Sequence, residues 1–589
     1  ITCRDWSSDV CSSDLLGDYS DSTGTVTVTG SGSTWANSGT LSVGSYGTGT
    51  LTIENGGSVS NAAAAVGDRS GSTGMVTVTG AGSTWTSSGT LYVGISGTGT
   101  LTIANGGTVS NINGRVGSVS GSTGTVTVTG AGSTWTNSGS LTVGLEGTGT
   151  LAIQNGGTVS STNGQVGSVT GSSGTVTVTG AGSSWASSGL LHVGQAGSGT
   201  LTIADGGRVT NTIAYLGSSP GGSGTVKVTG AGSTWANAGL LRVGLRGTGT
   251  LTIENDGTVS NTDTFVGYLA GSTGTVTVTG AGSTWTNSGE LHVGSAGTGT
   301  LTIADGGKVS NTVAVVGLES SSTGTATVTG AGSTWTNSAE LYVGHQGTGT
   351  LTIENGGTVS NTNGYVGVGA ASVGSVTVKG VGSTWTNNGT LNVGYEGTGT
   401  LTIAGGGTVT SAGSGGGPAG SIGVMAGSTG TVTVTGAGST WTNIGSLAEG
   451  ELYVGAAGTG TLTIEAGGTV TNTSAYLGYA SGGSGTVTVT GADSTWTVNG
   501  ILDVGHDGTG TLTIANGGIV QAVASQIGKN GSGTGAVTVT GAGSIWISRG
   551  IHVGGNGTVT LEKGGHVGTT WLNLYGGTVN LVGDASNGR

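Results

Sequence analysis

The amino-acid sequence predicts an all-β parallel β-helix with about 25 residues per coil and a 50-residue double-coil repeat. Three observations carry that prediction. A leucine recurs at Leu51, Leu101, Leu151, Leu201, Leu251, Leu301, Leu351 and Leu401, and resumes after one interruption at Leu462 and Leu512. A tryptophan keeps step with it at Trp35, Trp85, Trp135, Trp185, Trp235, Trp285, Trp335, Trp385, Trp441, Trp496 and Trp546. Between them, aliphatic residues alternate with threonine, and glycines or asparagines punctuate each short run. A fixed period of this size marks a stacked array, in which each unit buries its apolar face against its neighbours.

The segment 124–173 shows how each element arises. Its halves begin Gly124-Thr125-Val126-Thr127-Val128 and Gly149-Thr150-Leu151-Ala152-Ile153. This alternation is the period of a half-buried strand. It points Val126 and Val128 inward and Thr125, Thr127 and Thr129 outward. Gly130-Ala131-Gly132-Ser133 and Asn155-Gly156-Gly157 read as turns, because glycine and asparagine accept positive φ at little cost. A second short strand follows at Thr134-Trp135-Thr136 and at Thr158-Val159-Ser160. A third carries Leu141-Thr142-Val143 in the first half and ends at Val166-Gly167 in the second. Three strands and three turns make one coil. About 22 coils at ~4.8 Å spacing predict a rod roughly 100 Å long, with aliphatic, threonine and asparagine ladders along it.

The array is expected to span residues 17–565. Insertions fall near 411–422, which is glycine-rich and holds Pro418, and near 444–451. Insertions in a solenoid emerge as loops on one face, and the Gly-Ser composition favours passive slack. Residues 566–589 read as a truncated continuation with shorter spacing, and the chain reads as cut at both ends. Residues 1–16 do not follow the repeat. Asp5–Leu15 resembles a translated sequencing adapter, so this leader stands outside the fold reasoning. Both cysteines, Cys3 and Cys11, fall in or beside it, which leaves no disulfide scaffold.

Composition narrows the function classes. Charged residues make up 7% of the chain, far below the usual ~25%. The net charge of −13 argues against a nucleic-acid partner. No run approaches the ~20 apolar residues of a membrane-spanning helix. A surface of threonine, serine, asparagine and glycine suits the cell exterior.

The phrases Gly-Thr-Val-Thr-Val-Thr-Gly-Ala-Gly-Ser-Thr-Trp-Thr-Asn-Ser-Gly (Gly124–Gly139) and Gly-Thr-Leu-Thr-Ile-Glu-Asn-Gly-Gly-Thr-Val-Ser-Asn (Gly349–Asn361) resemble the repeat of type V secretion autotransporter passengers and PEP-CTERM-associated proteins. The resemblance covers nearly everything after residue 20. It implies a right-handed β-helix, displayed on or released from a Gram-negative cell, with an outer-membrane β-barrel translocator as partner. It transfers no catalytic residue. The chain departs from the autotransporter form in showing neither barrel nor sorting tail.

No catalytic, cofactor or metal site is legible. Glu54, Ala104, Gln154, Ala204, Glu254, Ala304, Glu354, Ala404, Glu465 and Ala515 share one position, which reads as a solvated edge. A glycan-cleaving site needs two carboxylates facing one bond, and no such pair can be placed. His192, His292 and His552 share the outward position of the Leu-x-Val-Gly strand, too far apart to bind one metal, and His345 and His506 are assigned to variable loops. The tryptophan column reads either as core packing, with Trp135 against Val159, or as an exposed ladder for sugar rings. The resulting expectation is a non-enzymatic surface protein that binds host or matrix glycans or proteins by many weak contacts. The alternative is an exopolysaccharide-associated PEP-CTERM matrix protein. More remote are an ice-binding solenoid, from the Thr-x-Thr rows, and the stalk of an enzyme whose active domain lies elsewhere.

Overall fold

The computed structural model describes residues 11–413, 417–445, 449–529 and 531–582. It divides into two compact units, Ile1–Ser288 and Gly289–Arg589. Each is a parallel β-solenoid built from the same coil.

In unit 1 the coil runs through a long strand Thr123–Thr129, a short strand Thr134–Asn137 and a third strand Ser140–Val143. The next coil repeats them at Thr148–Gln154, Thr158–Ser161 and Asn163–Val166. The pairing is parallel and keeps like residues stacked. Val126 faces Leu151 and Val128 faces Ile153; Trp135 faces Val159; Val143 faces Val166. These seven aliphatic residues are wholly buried except Val159, at 2% exposure. Burying each such side chain contributes roughly 1.5–3 kcal/mol, and the stacked coils supply that burial.

Two turns fix the coil's shape. In the first, Ser133 is wholly buried. Its hydroxyl donates to the Thr129 carbonyl at 2.7 Å and accepts from the Gly106 amide of the preceding coil at 3.0 Å. In the second, Asn155 adopts φ 53°, and its side-chain amide donates to Thr129 Oγ1 at 3.1 Å. At the Val-Gly corner Gly144 has φ 73°, and an added Cβ would lie 2.3 Å from the Ser173 carbonyl oxygen.

Unit 2 uses the same plan. Leu351 and Ile353 pair with Val376 and Val378, and Trp385 pairs with Val359 and Val409. Its two insertions lie side by side on successive coils. Ala412 pairs with Ile444, and the Gly413 amide donates to the Ile444 carbonyl at 3.3 Å. Both leave the coil between the second and third strands. Residues 414–416 and 446–448 of these insertions lie outside the described residues. The shorter continuation is also a coil: Gly565–Leu574 pairs with Ser544–Val553, and Thr578–Leu581 pairs with Thr558–Leu561. Residues 583–589 of that segment lie outside the described residues.

At the other end, residues 1–10, which include most of the adapter-like stretch, lie outside the described residues. Residues 11–16 form a strand, placed here inside the array rather than in a separate leader. Asp14 pairs with Leu41 and Leu16 with Val43. The reason is local: Leu16-Gly17 repeats the Val-Gly corner, and Leu16 is buried at 1% exposure.

Candidate functional site

The tryptophan column is interior. Ten of the eleven tryptophans, Trp85 through Trp546, are 0–1% exposed, while Trp35 is half-buried. Nine of the ten buried indoles meet a polar partner from the coil before. Trp135 donates to Asn111 Oδ1 at 2.7 Å, Trp335 to Asn311 at 2.8 Å and Trp496 to Asn472 at 2.8 Å. Serine takes this place for Trp185, through Ser161 at 3.2 Å, and for Trp441, through Ser411 at 3.1 Å. The asparagine then donates onward, as Asn311 does to Asn337 Oδ1 at 2.7 Å. Trp546 finds Ala522 where the others find asparagine or serine, and its buried indole N–H has no partner. A ring at this depth offers no face to a ligand.

The exposed chemistry lies one strand further on. The outward residue of the Leu-x-Val strand stacks from coil to coil, and the residue after the Val-Gly corner lies beside it. In unit 1 this column contains His192, Tyr215, Arg242 and Phe265 in register, with Tyr268 alongside. His192 Nδ1 lies 2.8 Å from Ser218 Oγ, and its ring meets Tyr215 edge-on at 5.3 Å. Burial holds the His192 imidazole below its ordinary range.

In unit 2 the column carries two aromatic clusters. In the first, Tyr342 and Tyr365 stack at 5.0 Å and 17°, Tyr395 meets Tyr365 edge-on at 5.6 Å, and His345 meets Tyr342 at 5.5 Å. Burial, and then the charge of Glu340, push both the Tyr342 and Tyr365 phenols up. The second cluster follows the insertions. Tyr453 stacks on Tyr479 at 4.6 Å, and Tyr479 stacks on His506 at 5.0 Å and 5°. Tyr476 meets Tyr453, Tyr479 and His506 edge-on at 5.1, 5.5 and 5.6 Å. The Tyr453 hydroxyl donates to Glu451 Oε2 at 2.8 Å. Burial, then that bond and that charge, keep the Tyr453 phenol neutral well above its usual range. His506 Nδ1 lies 2.8 Å from Asp503 Oδ2. Burial pushes the Asp503 carboxyl up, and His506 opposes it.

These positions extend one part of the sequence reading and correct another. His345 and His506 do lie in the bends between strands, and their rings pack against the tyrosines of the column. The charged residues, expected not to converge, meet where Asp503 and Asp507 flank His506. Tyrosines at the x of Leu-x-Val-Gly, and at the residue after it, were the signal in the sequence. Both recur in register but are spread among unrelated residue types, so the column emerges only when coils are superposed. The other histidines divide. His292 is buried at 7% exposure, with Nε2 2.8 Å from Glu290 Oε2, and His552 stacks on Tyr575 at 4.4 Å. The glutamate position of the long strand gains partners that the sequence did not signal: Lys227 reaches Glu254 at 2.8 Å and Lys379 reaches Glu354 at 2.8 Å. Among the described residues, no group of three or more His, Cys, Asp or Glu is placed to hold a metal ion.

No protein-family model and no curated protein matches the chain. Among solved structures, the TibC-catalysed hyper-glycosylated TibA55-350 fragment matches 78% of this chain and 99% of that chain. The identity is 16% and the TM-score 0.23, and a superposition that loose carries no argument about function.

Proposed function

We propose that the chain is a non-enzymatic, surface-displayed β-solenoid of the autotransporter passenger kind, which binds its target through many weak contacts. The observation that supports this reading is the third-strand column. It offers similar half-buried aromatic side chains at several heights in each unit, rather than one enclosed cleft. Repeated weak sites give avidity when a partner engages several at once. The repeat phrases support export and display, and an outer-membrane β-barrel would be the anchor. Host or matrix glycans and proteins are the partner classes.

Two experiments test it. Cells displaying the chain on a heterologous barrel should adhere to matrix-coated surfaces more than cells displaying the barrel alone, and equal adhesion would overturn the adhesive role. Long-read sequencing of the locus should find a downstream run of alternating ~10-residue amphipathic strands. A hydrophobic tail with a Pro-Glu-Pro signature there would replace the passenger with a sorted matrix protein.

A further inference from the structure

We propose that the tyrosine clusters of unit 2 bind guanidinium groups, and that their partner is a basic, arginine-containing peptide segment. This names a partner class for the multivalent surface described above and rests on that reading for its biological setting.

Unit 1 already contains the interaction. Arg242 is in register with Tyr215 on one side and Phe265 on the other. Its guanidinium carbon lies 4.1 Å from the Tyr268 ring centroid, 5.3 Å from that of Tyr215 and 5.9 Å from that of Phe265. Arg115 covers Tyr92 at 5.6 Å, and Arg69 covers Tyr46 at 5.6 Å. Cations are drawn to ring faces at this range by the ring quadrupole.

Unit 2 repeats the rings and changes the charge. Among the described residues, no Arg or Lys lies over the rings of Tyr342, Tyr365, Tyr395, Tyr453, Tyr476 or Tyr479. Acidic groups stand there instead. Glu340 acts on both Tyr342 and Tyr365, and Glu451 accepts from Tyr453. A carboxylate beside half-buried ring faces complements a cation better than a neutral sugar. Guanidinium fits better than ammonium, because its plane stacks on a ring while its fork reaches a carboxylate. Lys529 acts on Asp503 from the following coil, so the Tyr342, Tyr365 and Tyr395 cluster is the cleaner test site.

The test is fluorine NMR on the full chain labelled with 3-fluorotyrosine, titrated with tetraarginine amide. The resonances of Tyr342, Tyr365 and Tyr395, and of Tyr453, Tyr476 and Tyr479, should shift saturably. Those of Tyr215 and Tyr268 should not, since Arg242 already occupies them. The tetrapeptide should bind about tenfold or more tightly than arginine amide alone, through multivalency. Tyr365→Arg, which copies the Arg242 arrangement, should abolish the response of Tyr342 and Tyr395 and spare Tyr453, Tyr476 and Tyr479. No shift, an equal shift at all tyrosines, or an unchanged response in Tyr365→Arg would overturn the proposal. A response to neutral tetracitrulline amide or methyl glycosides in place of tetraarginine would replace it with a sugar or hydrogen-bonding surface. Displayed cells that adhere while the tyrosines ignore tetraarginine would keep the adhesive reading and end this one.

Discussion

Single residues decide how well each coil closes. The left-handed turn position holds Asn55, Asn105, Asn155 and Asn355 at φ 51–54°, but Ala466 occupies it at φ 50°. An alanine held there costs about 1–2 kcal/mol. Ala466→Asn should remove part of that strain and add a bond to Thr435, as Asn355 bonds Thr329 at 3.1 Å. The expected gain is about 1 kcal/mol in chemical denaturation of unit 2. His192 gives a pH effect of known sign. Burial lowers its folded pKa from the ordinary 6.5, so the unfolded chain protonates first as pH falls. Stability from this group is full above pH 6.5 and is lost as pH drops through the depressed value. His192→Gln copies Gln165 of the adjoining coil. It should flatten that loss in melting curves taken below pH 6.5. An unaltered slope would show that His192 contributes nothing to it.

At the scale of the element, the second strand carries the coil's specificity. Its inward face alternates Trp or Val with asparagine two residues later, so a bulky apolar residue and a buried amide share one face. Asn311 accepts from Trp335 and donates to Asn337, and it is 4% exposed. Asn311→Ala leaves the Trp335 indole N–H and the Asn337 Oδ1 buried without these bonds, which should cost about 2–4 kcal/mol. Asn311→Ser should lose less, because Ser161 and Ser411 serve the same role for Trp185 and Trp441. Equal losses in the two variants would show that packing, rather than the bond, sets the value. The ion pairs of the long strand matter far less. Lys227 and Lys379 are 45% and 53% exposed, and pairs of that kind contribute about 0–1 kcal/mol.

At the scale of the whole molecule, each coil within a unit contacts mainly the coils before and after it, so the stability of each unit is a sum of local terms and nearest-neighbour interfaces. The damage from Asn311→Ala should therefore stay near its own coil. Hydrogen exchange should quicken at Trp335, Val309 and the amides paired with them, while Leu462 and Ile464 keep their protection. Faster exchange throughout unit 2 would instead reveal global cooperativity. The same additivity explains how the column of outward side chains on the third strand can vary freely. The outward residue of Leu-x-Val lies outside the aliphatic ladder, although His292 and Asp503 are buried there, so Tyr, Arg, His, Asn and Asp all occupy it without altering the coil.

The sequence alone determined the coil length, the strands and the inward aliphatic ladder, because a two-residue alternation repeated at a fixed period leaves few ways to bury Val126, Leu151 and their equivalents. It also limited the tryptophans to two readings. The tertiary structure decided between them: the asparagine that receives each indole N–H lies 24 residues earlier for Trp135 and Trp335, a separation at which only stacking creates contact. Stacking likewise assembled the candidate site. Tyr453, Tyr476, Tyr479 and His506 come from three successive coils, and Glu451 reaches them from the end of an insertion. No local pattern encodes that meeting; it follows from the register, which converts a spacing along the chain into a distance of about 5 Å between neighbouring coils.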